Sequence, residues 1–404
     1  VKIKKKHISD LNPAQYNPRV DLKSMDKKTY EKLKNSIERF GFVQPIIWNE
    51  RTKNIVGGHQ RLTVLKDLGI EELDVIVVDL DEKDEKALNI ALNKIMGDWD
   101  LPKLNVIFQE LDKDMDLLKY TGFDNKEIDK ILDQFKEAEE DKFDVGKALE
   151  KKPKYDVSHG DVFLLGNHRI MCGDSTNEND MEILMKGDNA DMVFTDPPYN
   201  VNLKHRGKRP AEIQEWKEDY TDNQFKSFLV DMYKYISKYL KAGGVYYICQ
   251  GWRSFHLNII AIEQFPDLLY HQALVWHKMW PVMGRTDYLK DFELIIYGWK
   301  KGKKHFFMHG LSGDTDVWVI KKDNPLKYVH LTQKPLEISM RAIKNSSMHK
   351  NIVLDLFGGS GGTLLSCEQT NRRCYMMELN PHYCSVIIER WESFTGKKYE
   401  KEVK

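Results

Sequence analysis

The sequence predicts an α/β protein: a large C-terminal sheet flanked by helices, preceded by a smaller α+β domain. Three observations predict it. Short apolar runs recur in the later part of the chain, at Met192-Val193-Phe194, Val353-Leu354 and Cys374-Tyr375-Met376-Met377, and such runs read as buried strands. Between the last two lies a glycine-rich turn opening a helix, Gly358 to Glu368, the arrangement of a βα unit at a ligand crevice. The N-terminal part alternates short strands with amphipathic helices of its own, ahead of a stretch rich in both charges. A chain of 404 residues supports two or three domains.

Taken in order, Lys2 to Lys6 is a short basic start, read as a solvated end. Asn17-Pro18-Arg19 sits in a loop. Tyr30, Leu33, Ile37 and Phe40 recur at helical spacing over Lys27 to Phe40, and Gly41 ends the helix. Strands follow at Val43 to Trp48, Asn54 to Val56 and Val75 to Val78, with a helix from the Gly57-Gly58-His59-Gln60-Arg61 turn through Leu68 and another over Glu82 to Lys94. The expected first domain is 1–97. Residues 98–152 read as a charged helical linker, in which Ile128, Ile131, Leu132 and Phe135 form an apolar stripe expected to pack as core. Lys152-Pro153-Lys154 marks the expected boundary, giving a second domain over 153–404.

Lys plus Arg and Asp plus Glu both number 62, so overall charge points to no partner. Local charge does: Lys204, Arg206, Lys208 and Arg209 follow a proline corner, and Lys300, Lys301, Lys303 and Lys304 follow an apolar strand. Beside a crevice, such runs suit phosphates. The five cysteines form no Cys-x-x-Cys pair and read as reduced structural residues of a cytosolic, cytoplasmic protein. No Pro-Cys dipeptide exists, which argues against a cysteine nucleophile for cytosine C5 chemistry. No apolar run is long enough to span a bilayer, so no membrane partner is expected.

The proline corner is Asp196-Pro197-Pro198-Tyr199, directly after a strand. Two prolines fix φ twice, remove two N–H donors and leave carbonyls free. A planar amine fits there: the Asp196 carboxylate and the Pro197 carbonyl accept its N–H bonds, and Tyr199 stacks on its ring. The second motif is Phe357-Gly358-Gly359-Ser360-Gly361, where glycines let the backbone approach a ligand closely. About 20 positions later the next strand ends in Glu378, placed for ribose hydroxyls. Leu364 stands where a dinucleotide fingerprint would need its last glycine, which disfavours a diphosphate site.

Asp-Pro-Pro-Tyr resembles the catalytic motif of amino-group DNA methyltransferases, and Phe-x-Gly-x-Gly resembles their S-adenosylmethionine site. The order, catalytic motif first, matches the β class. Cys172-Gly173-Asp174-Ser175, the glycine-led strand Gly243 to Ile248, and His330-Leu331-Thr332-Gln333-Lys334-Pro335 resemble further pieces of that family. The resemblance runs from about Tyr155 onward. It implies a Rossmann-like S-adenosylmethionine-dependent methyltransferase sheet with permuted motif order. It also implies catalysis by Asp196, Pro197, Pro198 and Tyr199, and cofactor binding by Asp174, Lys334, Pro335, Asp355, Phe357, Gly359, Gly361, Glu378 and Asn380. Target recognition would fall at about 280–329. The implied partner is double-stranded DNA, the cofactor S-adenosyl-L-methionine without a metal, and the arrangement leaves room for a homodimer. The implied reaction is methylation of an exocyclic amine, with adenine N6 ahead of cytosine N4. A DNA-binding partition-type regulator with an inactive methyltransferase domain stays open as an alternative.

The first hundred or so residues resemble the N-terminal domain of the ParB partition family, related to sulfiredoxin, through Asn17-Pro18-Arg19, Gly41 to Pro45 and Gly57 to Arg61. Gly58 stands where sulfiredoxins carry a cysteine, which removes that chemistry. Gly57 and Gly58 at a helix start, with Arg61, are the expected anion site.

Overall fold

The computed structural model describes residues 2–19, 22–25, 27–93, 99–111, 121–200, 220–282, 287–308, 314–321 and 334–402. The chain forms two compact units, Val1–Lys136 and Glu137–Lys404.

The first unit is built on a five-stranded mixed sheet. Its strands are β1 (Lys2–His7), β2 (Asn12–Pro13), β3 (Ile46–Asn49), β4 (Asn54–Gly57) and β5 (Glu72–Val78), ordered β1-β5-β3-β4-β2. Its longer described helices are α1 (Lys27–Phe40), α2 (His59–Asp67), α3 (Glu82–Asn93), α4 (Leu101–Leu111) and α5 (Asn125–Gln134). Alternation on β5 buries Leu73, Val75 and Val77 against Ile46, Trp48 and Leu62. Two expectations change here. The basic start is a strand, not a solvated end: β1 pairs with β5, and the Lys2 and Lys4 ammonium groups both reach Glu50, at 3.0 and 2.6 Å. The expected linker 98–152 is divided. Ile128, Ile131 and Leu132 of α5 join Ile107 and Phe108 of α4 and Ile90 of α3 in one buried cluster, so these helices belong to the first unit. Residues from Glu137 onward belong to the second.

The second unit carries a ten-stranded sheet with helices on both faces. Its elements are α6 (Val145–Leu149), β6 (Val162–Leu165), β7 (His168–Cys172), α7 (Glu178–Met185), β8 (Ala190–Thr195), α8 (Asp222–Tyr239), β9 (Leu240–Gln250) and α9 (Phe255–Ile262). They continue with β10 (Leu268–Val282), β11 (Lys290–Lys300), β12 (Val317–Val319), α10 (Leu336–Ser346), β13 (Ile352–Asp355), α11 (Gly362–Gln369), β14 (Arg373–Glu378), α12 (Pro381–Thr395) and β15 (Glu400–Lys401). Strand order is β12-β10-β11-β9-β8-β13-β14-β7-β6-β15. The central five, β9-β8-β13-β14-β7, are parallel; β11 continues the sheet antiparallel to β9, and β10 pairs antiparallel to β11. On one face Leu184, Phe225, Met232, Tyr233 and Leu257 pack from α7, α8 and α9; on the other Ile343, Leu365, Ile387 and Trp391 pack from α10, α11 and α12.

From β8 the chain steps to β9 on one side, and from β13 to β14 on the other. The order therefore reverses between β8 and β13, and a crevice opens beyond their carboxyl ends. All five cysteines are buried and unpaired. Among the described residues no helix is long and apolar enough to cross a membrane.

Candidate active site

Both motifs meet at that reversal. Thr195, the last residue of β8, is fully buried. Its hydroxyl donates to Asp355 Oδ1 at 2.7 Å and accepts the Leu356 N–H at 3.0 Å, lacing the end of β8 to the end of β13. The proline corner begins at the next residue, and the glycine turn begins two residues after Asp355.

At the corner, the Asp196 side chain is about one-third exposed. Its Oδ2 accepts a hydrogen bond from the Lys334 ammonium. Its Oδ1 is buried and, among the described residues, has no hydrogen-bond partner. Tyr199 packs against Gly251, where an added Cβ would stand 3.3 Å from the ring, and its carbonyl accepts the Ser254 hydroxyl at 3.1 Å. The Tyr199 hydroxyl donates to Glu293 Oε2 at 3.2 Å, and the Lys334 ammonium lies 5.1 Å from the ring centroid. Glu293 also holds Lys334 at 3.4 Å and Lys278 at 2.6 Å. Burial alone would lower the Lys334 pKa, but Asp196 and Glu293 outweigh it and raise it. Burial pushes the Tyr199 phenol well above its ordinary value, and the Asp196 and Glu293 charges add to that. The corner therefore keeps a neutral phenol, a charged lysine and an open carboxylate oxygen.

The glycine turn is held by its own neighbours. Gly361 has φ +84° and caps α11, a conformation that suits glycine. A Cβ on Gly358 would come 2.7 Å from Met376 Sδ. Glu378, at the end of β14, accepts the Gly359 N–H at 2.7 Å and the Asn380 N–H at 2.8 Å. Burial raises its pKa to about 7 against the pull of those amides. Asp355 is likewise raised to about 7, by burial, against bonds from Thr363, Thr195 and Phe357. Gly173 donates to the Glu378 carbonyl at 3.0 Å, which brings Asp174 to the same edge.

Several residues expected on the cofactor have a nearer partner. Lys334 is drawn to Asp196 and Glu293 at the proline corner. Asp355 is 2% exposed and braces the two strand ends. Asn380 Oδ1 caps α12, accepting from His382 at 2.8 Å. Asp174 Oδ1 accepts from the Thr176 amide and hydroxyl, at 2.8 and 2.7 Å. Pro335 starts α10, and Phe357 packs on Phe228 at 5.7 Å. Gly359 alone of the turn leaves open space where a Cβ would stand, with φ +51°.

The Lys300 to Lys304 run does not line the crevice. Because β11 runs against β9, its carboxyl end lies at the amino end of β9, on the opposite edge of the sheet: a Cβ on Gly243 would meet the Lys304 carbonyl at 2.7 Å. Lys300 bonds the Ser237 carbonyl and Lys301 the Pro266 carbonyl, the latter at 2.8 Å. Lys204, Arg206, Lys208 and Arg209 lie outside the described residues. In the first unit, Gly58 (φ +98°) caps α2 after Gly57, and Arg61 donates to the Gln44 carbonyl at 2.7 Å, so its guanidinium already has an acceptor.

Lys278, Glu293 and Thr195 were not singled out from sequence. Their signal is a polar residue in or beside an apolar strand run: Glu293 before Leu294-Ile295-Ile296, Lys278 after Val275-Trp276-His277, and Thr195 after Val193-Phe194.

Against known proteins, a family model described as DNA methylase matches residues 190–389, and a ParB N-terminal domain model matches residues 2–94. The Type II methyltransferase M.HpaI of Haemophilus parainfluenzae is 25% identical over 233 residues, covering 52% of this chain and 71% of that protein. The DNA adenine methyltransferase YhdJ of Escherichia coli K12 is 24% identical over 234 residues, covering 50% and 76%. A solved structure of an M1.HpyAVI–SAM complex is 21% identical with a TM-score of 0.42, covering 55% of this chain and 98% of that one.

Proposed function

Residues 190–389 form a DNA methylase domain of the N6/N4 amine type and residues 2–94 a ParB N-terminal domain, and from that premise we propose that the chain methylates adenine N6 in DNA. The observation that carries the reading is the open Asp196 Oδ1, buried beside Pro197 at the strand reversal. A carboxylate acceptor without a donor suits an incoming amine.

Enzymes of this family take their methyl group from S-adenosyl-L-methionine, which supplies an electrophilic methyl on a sulfonium. The chain's residues fit it: a glycine turn with open space at Gly359, and a carboxylate at the end of the next strand. Gly359, Gly361, Glu378 and Asp174 would hold it. The remaining work falls to the corner. The target amine lies inside the duplex, so the base must leave the stack. Asp196 Oδ1 and the Pro197 carbonyl accept the two N–H bonds, which frees the nitrogen lone pair and offsets the positive charge that develops there. Tyr199 supports the ring. Lys334 holds the other Asp196 oxygen, and Glu293 fixes both Lys334 and Tyr199. The nitrogen sheds a proton once it carries the methyl, and Asp196 is the adjacent acceptor. The leading Asp of the corner and the likeness to a DNA adenine methyltransferase favour adenine. The ParB-like unit assists engagement of DNA.

The test is to map modified bases in DNA from cells expressing the chain or its Asp196→Ala variant. N6-methyladenine in a fixed context, lost in the variant, is expected. N4-methylcytosine in its place overturns the adenine assignment, and unmodified DNA overturns the reaction.

A further inference from the structure

The strand pair at the corner is interrupted. His277 of β10 faces Phe292 of β11, yet the next pair is Val282 with Lys290. Lys278-Met279-Trp280-Pro281 thus stand opposite the single residue Asp291, and Met279 takes φ +64°, rare for a residue with a side chain. Bulges beside active sites re-aim side chains, and this one does so in both directions. Lys278, 6% exposed, turns inward to Glu293 at 2.6 Å. Met279 and Trp280 turn outward, 51% and 61% exposed. Lys278 and Trp280 are two residues apart, so the backbone that carries the indole lies within roughly 7 Å of the backbone that sends Lys278 to Glu293.

Trp280 is not isolated. Trp252 follows Gly251, the residue under Tyr199, and is 50% exposed, with the Lys290 ammonium 5.0 Å and the Arg253 guanidinium 5.6 Å from its ring. Among the carboxylates of this strip, Asp291 is paired with His277 at 3.3 Å, and Asp287 is the other. Exposed large apolar side chains are unfavourable in water and mark a surface that something covers. Aromatic rings interleaved with cations suit stacked bases and their phosphates.

We propose that Trp280, carried on this bulge, is a wedge: it enters the base stack of duplex DNA at the place the target base vacates. The proposal rests on the amine-methylation reading of the neighbouring corner. Moving a base into that corner leaves a gap in the duplex, and an apolar side chain on a stiff, bulged strand end fills it. Pro281 and the left-handed Met279 restrict the backbone on either side of the indole. Trp252 with Lys290 and Arg253 supports the flanking nucleotides.

The test compares the full chain with Trp280→Ala and Trp280→Phe on two DNAs of the mapped context: a perfect duplex, and one whose target base is mismatched and already unpaired. Trp280→Ala is expected to lower kcat/KM on the perfect duplex by about 10–100-fold, the range of one lost base–aromatic stack, and several-fold less on the mismatch, with Trp280→Phe largely restored. With 2-aminopurine at the target position, the fluorescence rise on binding should shrink in the alanine variant. Equal loss on both DNAs, or no loss, overturns the wedge. So does a variant that loses only self-association, which would make a second copy the occupant. A full chain that methylates neither DNA instead defeats the corner's reading, and the 2-aminopurine signal then decides the wedge alone.

Discussion

Replacing Asp141 by alanine should destabilise the second unit far more than its sequence position suggests. Asp141 lies in the stretch of mixed charge where surface pairs contribute about 0–1 kcal/mol. The structure instead buries it: its side chain is 6% exposed and that of its partner Arg390 2%. Arg390 projects from α12, donates to Asp141 Oδ2 through Nε at 3.0 Å, and donates to the Ser360 carbonyl at 2.9 Å. Ser360 belongs to the glycine turn. Asp141→Ala therefore leaves a guanidinium buried without its counter-charge, which costs about 3–5 kcal/mol. For a unit of this size that is a fall of about 10 °C in Tm. Cofactor affinity should weaken as well, because the turn loses a fixed support. The assay is denaturant and thermal unfolding, with calorimetric titration of S-adenosyl-L-methionine. Asp141→Leu combined with Arg390→Met should recover most of the stability, since the uncompensated charge is gone. A loss below about 1 kcal/mol in the single variant would refute the argument, because it would mean that Arg390 is adequately solvated. Burial of the Asp141–Arg390 pair also sets the place for truncation. A chain beginning at Pro153 lacks Asp141, and also Glu140, whose carboxylate accepts the Leu336 N–H at 2.6 Å at the start of α10. A chain beginning at Glu137 keeps both and should fold, while the shorter one should be markedly less stable.

Three further outcomes are expected. Thr195→Val keeps the volume but removes a donor to Asp355, which keeps its bond from the Phe357 N–H, and the acceptor of the Leu356 N–H, so unfolding should show a loss of about 1–3 kcal/mol for the one buried group left unsatisfied; no measurable loss would show that the strand ends are not joined there. Glu378, raised to about 7 by burial, must be ionised to accept ribose hydroxyls at full strength. Affinity for the cofactor should therefore rise with pH through 7, being about tenfold weaker at pH 6 than at pH 8 with proton release on binding; an affinity independent of pH would contradict the raised carboxyl. Asp196→Ala should lower methylation at least about 10²–10³-fold while cofactor binding changes little; near-normal turnover would remove Asp196 from the reaction.

Much of the strand and helix pattern was legible from residue order. The runs before Asp196, after Asn351 and before Glu378 are strands because each is short, apolar and closed by a turn residue. The helix over Lys27 to Phe40 and its Gly41 stop follow from periodicity and a left-handed glycine. Local chemistry also marked Asp-Pro-Pro-Tyr, since two prolines constrain the backbone whatever surrounds them. What the sequence could not express is which strand edge each segment reaches. Lys300 to Lys304 follow an apolar strand and read as phosphate contacts beside the crevice, yet antiparallel pairing of β11 carries them to the other end of the sheet. Lys334 stands beside the proline at the start of α10, yet its long side chain follows charge to Asp196 and Glu293, which come from different strands. Asp141 and Arg390 are far apart in sequence and appear as ordinary charges until both are buried together. Local backbone preferences act within a few residues and can be read in order. Ion pairs and buried acceptors are decided by desolvation, and a charge loses its water only when the tertiary fold brings distant segments around it.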